Sequence, residues 1–228
     1  MSEKILAIET STECCSVALC EGGKPVASRV DSTPKVHAAM TAPYIEEVLR
    51  EGGCTAKDLA GVAVSKGPGS YTGLRVGVSS AKGLCFGVDI PLIGIDTLRI
   101  LALQGVGDEC RPRRIVPFID ARRMEVYSAV FDAEGRKLSD TEAVILDENS
   151  FAGLLEEGPV LFIGTGVEKF KAVCHHPNAF FKTCFPLAQS MAAPAAEALK
   201  NKEFEDVAYF EPFYLKEFVA GISKKSLL

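Results

Sequence analysis

The order of predicted secondary structure occurs twice along this chain, and this repetition restricts the fold more than any other feature. Alternating apolar residues predict strands over residues 5–8, 15–19 and 26–30, followed by a helix over residues 36–49. A short buried strand, a helix over residues 72–86, a further strand and a further helix come next. After Gly105, three strands again precede a helix, a strand and helices. Two successive βββαβα units predict an α/β protein of two halves with a cleft between them.

This arrangement is typical of the duplicated actin-like ATPases, whose two halves share a ribonuclease H-like fold. We divide the chain into a first half over residues 1–105, which carries two long helices suited to dimerisation, and a second half over residues 106–228. The last segment is expected to return to the first half.

The composition predicts a folded protein with a sizeable core, since 47% of the residues are hydrophobic and 24% are charged. The sequence has no secretion signal and no apolar run of membrane-spanning length, so we expect a cytoplasmic protein. The eight cysteines are scattered and form no CxxC motif. This spacing favours free thiols over disulfides or a structural zinc site.

The net charge of −5 argues against strong nucleic-acid binding by the chain alone, because such binding depends on Lys and Arg that neutralise phosphates. A local basic cluster exists nonetheless, and two lysines lie near the end of the chain. Solvated loop charges are the simpler interpretation of both groups. The residues concerned are Arg111, Arg113, Arg114, Arg122, Arg123, Lys224 and Lys225.

The segment SKGPGSYTGLRVGVSSAKGL, residues 65–84, has the glycine content of a phosphate-binding loop. A P-loop requires a lysine and a hydroxyl residue directly after its last glycine, whereas Leu74 and Arg75 follow Gly73 here. A tight turn at residues 67–69 and close helix contacts at Gly73 and Gly77 explain the glycines better.

Five segments, in the same order along the chain, resemble the bacterial TsaB proteins, also called YeaZ. They are ILAIETST (5–12), VAVSKGPGSYTGLRVGVSSAKGL (62–84), PLIGIDTL (91–98), FIDARRMEVY (118–127) and PFYLKE (212–217). The resemblance implies an actin-like fold. It also implies a noncatalytic subunit that supports threonylcarbamoyl transfer to adenosine 37 of tRNAs decoding ANN codons.

The same resemblance implies a set of partners. In this family the catalytic paralogue TsaD forms a heterodimer with TsaB, TsaE is an ATPase, and tRNA is bound through the complex. The resemblance further implies a homodimer when the chain is alone, no membrane contact, and ATP or ADP shared within the complex instead of a cofactor of its own.

The histidine pair of the catalytic paralogue is missing from this chain. In that paralogue the strand after the glycine-rich helix leads into two metal-binding histidines four residues apart, a spacing that places both on one helix face. Thr97 and Leu101 occupy the matching positions here, and His37, His175 and His176 form no such pair. We therefore assign no metal ligand and no catalytic residue. An autonomous ATP-dependent kinase or hydrolase and a stand-alone RNA binder remain the alternatives.

A weak nucleotide site is a further hypothesis. The resemblance to the superfamily implies an acidic residue and hydroxyl groups after the first strand, with matching strand ends in the second half. The TSTECC segment contains no Lys or Arg to neutralise phosphates. The matching GTG segment in the second half is too short to distinguish a nucleotide-binding loop from an ordinary turn between a strand and a helix. The candidate residues are Glu9, Thr10, Ser11, Asp120, Gly164 and Gly166.

The helix over residues 72–86 is apolar on nearly all sides, which indicates that it is covered on two faces. Gly73, Gly77, Ala81 and Cys85 form a stripe of small residues, and we expect either a partner helix or the chain's own sheet to pack against it. On the first interpretation, a large side chain at Gly77 would block association and leave the fold intact. The resemblance implies that this helix and the helix over residues 36–49 form the interface with the paralogue. The candidate interface residues are His37, Met40, Tyr44, Tyr71, Leu74, Arg75, Gly77, Val78 and Ala81.

Overall fold

A computed structural model describes residues 3–216, and this part of the chain contains two mixed sheets. The first sheet has the order β3-β2-β1-β4-β5, in which β1 is antiparallel to β2 and parallel to β4. Its strands are β1 (Lys4–Glu9), β2 (Cys15–Glu21), β3 (Lys24–Asp31), β4 (Gly61–Gly67) and β5 (Leu92–Asp96).

The second sheet repeats this order as β9-β7-β6-β10-β11, and a short strand, β8 (Phe131–Asp132), also pairs with β6. Its other strands are β6 (Arg114–Asp120), β7 (Glu125–Ser128), β9 (Glu142–Ile145), β10 (Val160–Gly164) and β11 (Ala179–Lys182). In both sheets the first strand, β1 or β6, lies in the centre, antiparallel to the next strand, β2 or β7, and parallel to β4 or β10. The predicted duplicated actin-like α/β fold is confirmed.

The described residues also form six α-helices, of which the last follows β11. They are α1 (His37–Glu51), α2 (Tyr71–Val88), α3 (Thr97–Leu103), α4 (Ala152–Glu157), α5 (Val167–Lys171) and α6 (Ala192–Asn201). Helix α1 continues through Pro43, and the Ser70 side chain caps the start of α2 by accepting a hydrogen bond from Gly73 N. None of the helices in this part of the chain has the length and apolar character that a membrane crossing requires.

The first sheet is covered on both faces. Helices α1 and α2 pack on one face, and on the other Met191 and α6 cover β1, β2 and β5. Helix α3 contributes Ile100 to the core of the first sheet and Leu98 to that of the second, so it lies between the two halves. In the second sheet a cluster that includes Phe118 and Phe162 fills the core. The division at 105/106 stays a prediction, but α6 lies on the first half's sheet.

The described end of the chain connects the two halves. After α6, Glu205 N donates to Leu92 O, and Phe213 N donates to Lys66 O at 2.6 Å. Lys216 then forms an ion pair of 2.6 Å with Glu125, at the start of β7. Residues 217–228, including the two lysines near the end of the sequence, lie outside the described residues.

Candidate functional site

A cleft of about 1900 Å³ lies where strands from both sheets end. The segments that follow β1, β4, β6 and β10 all contribute to its walls. In α/β proteins the carboxyl ends of strands are the usual place for a ligand. Residues from both halves line this cleft, among them Ser11, Thr12, Lys35, Pro68, Ser70, Asp120, Arg122, Arg123, Tyr127, Thr165 and Tyr214.

The glycine-rich turn approaches the end of β1 so closely that side chains are excluded. A Cβ atom on Gly69 would overlap the carbonyl oxygen of Ser11, and one on Gly73 would overlap that of Thr10. Ser70 N donates to Ser11 O at 2.6 Å, and Thr10 Oγ1 donates to Gly73 O at 2.8 Å. The glycines therefore join two segments of the first half, and the close contact predicted at Gly73 is made with the chain's own backbone after β1.

Glu9, next to Thr10 in the chain, is completely buried. One carboxylate oxygen accepts a hydrogen bond of 2.5 Å from Ser11 N, whereas Oε2 has no hydrogen-bond partner among the described residues. Burial raises the pKa of Glu9 to about 7, and the nearby Ser11 and Ser65 lower it only in part. Glu9 is a carboxyl group of the core, and its side chain does not line the cleft.

The six candidate nucleotide residues have different positions. Ser11 and Asp120 line the cleft, and Glu9, Thr10, Gly164 and Gly166 lie behind its surface. A Cβ on Gly164 would overlap Phe118 O, and one on Gly166 would lie 2.6 Å from a methyl group of Val126. Gly164 is explained by the packing of β10 on β6, and Gly166 by its close approach to Val126 of β7. Whether the cleft binds a nucleotide stays a prediction.

The stripe of small residues on α2 faces the chain's own sheet. A Cβ on Gly77 would overlap Thr10 Oγ1, and Ala81 and Cys85 are at most 1% exposed. Leu74 and Val78, on either side of the stripe, are also buried. The interpretation that a partner contacts Leu74, Gly77, Val78 or Ala81 is thereby corrected, because the first half's own strands already occupy that face.

Other interface candidates face outward or lie at the edge of α1 and α2. Arg75 is exposed, stacks on the Tyr71 ring at 4.1 Å and donates a hydrogen bond of 3.2 Å to Tyr214. His37 and Met40 are half-buried, whereas the Tyr44 hydroxyl is already bonded to Asp31 at 2.7 Å. A depression of about 540 Å³ between the two helices is lined by Ala38, Tyr71, Thr72, Arg75, Val76, Ser79 and Ser80.

The basic cluster does not form one patch. Arg113 and Arg114 pair with Glu157 at 3.5 and 3.9 Å, away from the cleft. Arg122 and Arg123 line the cleft, and none of the described residues forms an ion pair with them. Sequence reasoning missed Lys35, which joins them from the first half, because nothing in its local pattern distinguishes it from a solvated loop lysine.

The positions that correspond to the paralogue's histidines belong to the core. Thr97 and Leu101 lie one turn apart on α3 and are both fully buried. Across residues 3–216, no group of three or more His, Cys, Asp or Glu side chains could hold a metal ion. All eight cysteines are free thiols.

Comparison with known proteins shows similarity over nearly the whole chain. The family described as TsaD, tRNA N6-adenosine threonylcarbamoyltransferase, matches residues 31–224. The tRNA threonylcarbamoyladenosine biosynthesis protein TsaB of Escherichia coli K12 is 31% identical, with 95% of this chain and 96% of that protein covered. The TsaB protein of Bacillus subtilis 168 is 33% identical, with 93% of both covered. The structure of YeaZ from Pseudomonas aeruginosa superposes with a TM-score of 0.78 at 26% identity, covering 93% of this chain and all of that one.

Proposed function

The chain belongs to the TsaB family of tRNA threonylcarbamoyladenosine biosynthesis proteins, and from this premise we propose that it is a noncatalytic subunit that docks on a TsaD-like paralogue. Its role is in the synthesis of threonylcarbamoyladenosine on tRNA. In the proposed complex the paralogue transfers the threonylcarbamoyl group, and this chain supports the transfer by binding to the paralogue.

The observation that carries this proposal is the outward face of α1 and α2. Ala42, Ser79 and Gly83 are exposed and small, so a second pair of helices could approach the backbone closely. Phe86, at the end of α2, has 85% of its surface exposed, and such an aromatic group is a typical anchor in an interface. The inward stripe fixes α2 to the sheet, and its outward face is left for the partner.

Two further features support a noncatalytic role. The fully buried Thr97 and Leu101 leave no room for metal-binding imidazoles at the positions where the resemblance implies them. Glu9, the acidic residue expected at a nucleotide site, is completely buried and accepts a hydrogen bond from Ser11 N. An autonomous kinase or hydrolase would need these positions for its own chemistry.

The proposal extends to the other members of the complex. A TsaE-like ATPase and tRNA would join the heterodimer, ATP or ADP would be shared within it, and the location would be the cytoplasm. The same outward face of α1 and α2 would hold two copies of this chain together when the paralogue is absent.

The test uses two exposed helical glycines that differ only in location. A Cβ at Gly83 on α2 or at Gly153 on α4 meets no atom within 4 Å, so arginine is expected to be tolerated at either position. We expect Gly83→Arg to abolish co-purification with the paralogue and tRNA modification by the reconstituted enzyme. Gly153→Arg should preserve both co-purification with the paralogue and tRNA modification.

Two results would contradict the proposal. Robust threonylcarbamoyl transfer or ATP hydrolysis by the isolated chain would make it an enzyme in its own right. An unchanged heterodimer with the Gly83→Arg variant, seen by size-exclusion chromatography, would place the interface elsewhere.

A further inference from the structure

Three cationic residues at the cleft form no ion pair with a described residue. Each of them also has a strained backbone conformation. They are Lys35 in the loop before α1 and Arg122 and Arg123 in the loop after β6. Their φ angles are 64°, 72° and 49°, in the left-handed region that costs a non-glycine residue free energy. Residues whose backbone is held in such a strained conformation at a cleft are a common feature of ligand sites.

The other charges around these cations are largely neutralised within the chain. Asp120 pairs with Lys169 at 3.0 Å, and Glu125 pairs with Lys216 at 2.6 Å. Glu13 also lines the cleft, and it has no ion pair with a described residue. The three unpaired cations therefore outnumber the unpaired carboxylate, although the chain as a whole is acidic.

Aromatic rings line the same cleft as the cations. Tyr71, Tyr127, Phe185, Phe213 and Tyr214 all line the cleft, and none of them is fully buried. The volume of about 1900 Å³ exceeds that of typical small-molecule pockets, which reach roughly 1,000 Å³. Cations that follow a backbone, together with aromatic rings on which bases stack, are the usual components of a surface for single-stranded nucleic acid.

We propose that this cleft binds a single-stranded segment of RNA, with phosphates at Lys35, Arg122 and Arg123 and bases against the aromatic lining. The inference rests on the proposed function, which supplies an RNA substrate, and it assigns the RNA contact to the cleft, which adjoins the outward face of α1 and α2 at Ala38, Tyr71, Thr72 and Val76. Because Lys35 belongs to the first half and the two arginines to the second, the bound strand spans both halves.

The test measures binding of a fluorescein-labelled RNA hairpin with a single-stranded loop to the complex of this chain and its paralogue. The variant carries Lys35→Gln, Arg122→Gln and Arg123→Gln, since glutamine tolerates the left-handed backbone as well as the original residues do. We expect each change to weaken binding about threefold, as for an exposed ion pair, and all three to weaken it about thirtyfold. The slope of log K against log salt, between about 50 and 200 mM, is negative and should become less steep by roughly 2.

The control changes three exposed lysines that do not line the cleft, Lys24→Gln, Lys57→Gln and Lys202→Gln. Its affinity and salt slope should equal those of the unchanged complex, and Glu13→Gln should strengthen binding. A fully paired RNA duplex should bind more weakly than the hairpin, because its bases cannot stack on the aromatic rings.

Three outcomes would overturn the inference. These are wild-type binding by the cleft variant, equal losses in the cleft variant and the lysine control, and displacement of the hairpin by ATP or polyglutamate at equal concentration of anionic groups. Heterodimer formation and tRNA modification by the unchanged chain are measured first. If they are absent, the proposed function fails; if they are present and the cleft variant binds normally, only the RNA contact is wrong.

Discussion

Replacing Glu9 by glutamine should change how the stability of this protein depends on pH. The carboxyl group is fully buried, and only one of its oxygens has a hydrogen-bond partner among the described residues. Glutamine has the same shape, so its Oε1 can still accept from Ser11 N. Its amide group can donate to the Ser11 and Ser65 hydroxyls, neither of which forms a hydrogen bond of good geometry now.

The magnitude follows from the pKa of Glu9, which burial raises from 4.5 to about 7. Between these two pH values the folded chain holds a proton that the unfolded chain has lost, so the free energy of unfolding decreases as the pH rises. The decrease levels off above the folded-state pKa and totals about 3 kcal/mol, at about 1.4 kcal/mol per pH unit. The Glu9→Gln variant lacks this dependence. We therefore expect similar stabilities near pH 4.5 and a more stable variant near pH 8.

Urea denaturation followed by circular dichroism, with reductant to protect the eight free thiols, gives the free energy of unfolding at each pH. Taking the difference between variant and wild type cancels the titration of every other group. Glu109→Gln, an exposed loop substitution, is the control, and its difference should not vary with pH. A difference for Glu9→Gln that is equally flat from pH 4.5 to about pH 8 would refute the buried, proton-holding role of Glu9.

Two further sets of substitutions test how α2 and α3 are packed. Gly77→Leu should lower the free energy of unfolding by at least about 3 kcal/mol, because its side chain would enter the space of Thr10, whereas Gly83→Leu on the outward face should not. A Gly77→Leu protein of normal stability that no longer binds the paralogue would restore the interpretation that a partner packs on the stripe. Introducing Thr97→His and Leu101→His together should lower the melting temperature without creating a zinc site, since both positions are fully buried. Stoichiometric zinc binding by a folded double variant, measured by calorimetry, would show that these positions are accessible.

The order of elements and the family could be predicted from the sequence, because both depend on local patterns. The hairpins, the glycine-rich turn and the helix starts are set by residues close together in the chain, and the five family segments are contiguous. Which face of α2 is buried could not be predicted. Apolar residues recur nearly all round the helical pattern, and the inward face is fixed by Thr10, whose hydroxyl bonds Gly73 from 63 positions away.

The cleft also depends on distant contacts. The TSTECC segment has no cation of its own, and the cations come from the loop at Lys35 and from the second half. Ion pairs such as that between Lys216 and Glu125, 91 positions apart, decide which charges remain free. Such pairings depend on how the two sheets are placed, which no local pattern encodes.

The sequence by itself thus determined two actin-like halves, the membership of the TsaB family and the absence of a paired-histidine motif. Only the tertiary structure decided that Glu9 is a buried core group, that the small residues of α2 serve the chain's own sheet, and that Lys35 meets Arg122 and Arg123 at one cleft. The physical reason is that periodicity reports how apolar each face of an element is. Burial and charge pairing depend on which other segment reaches that face.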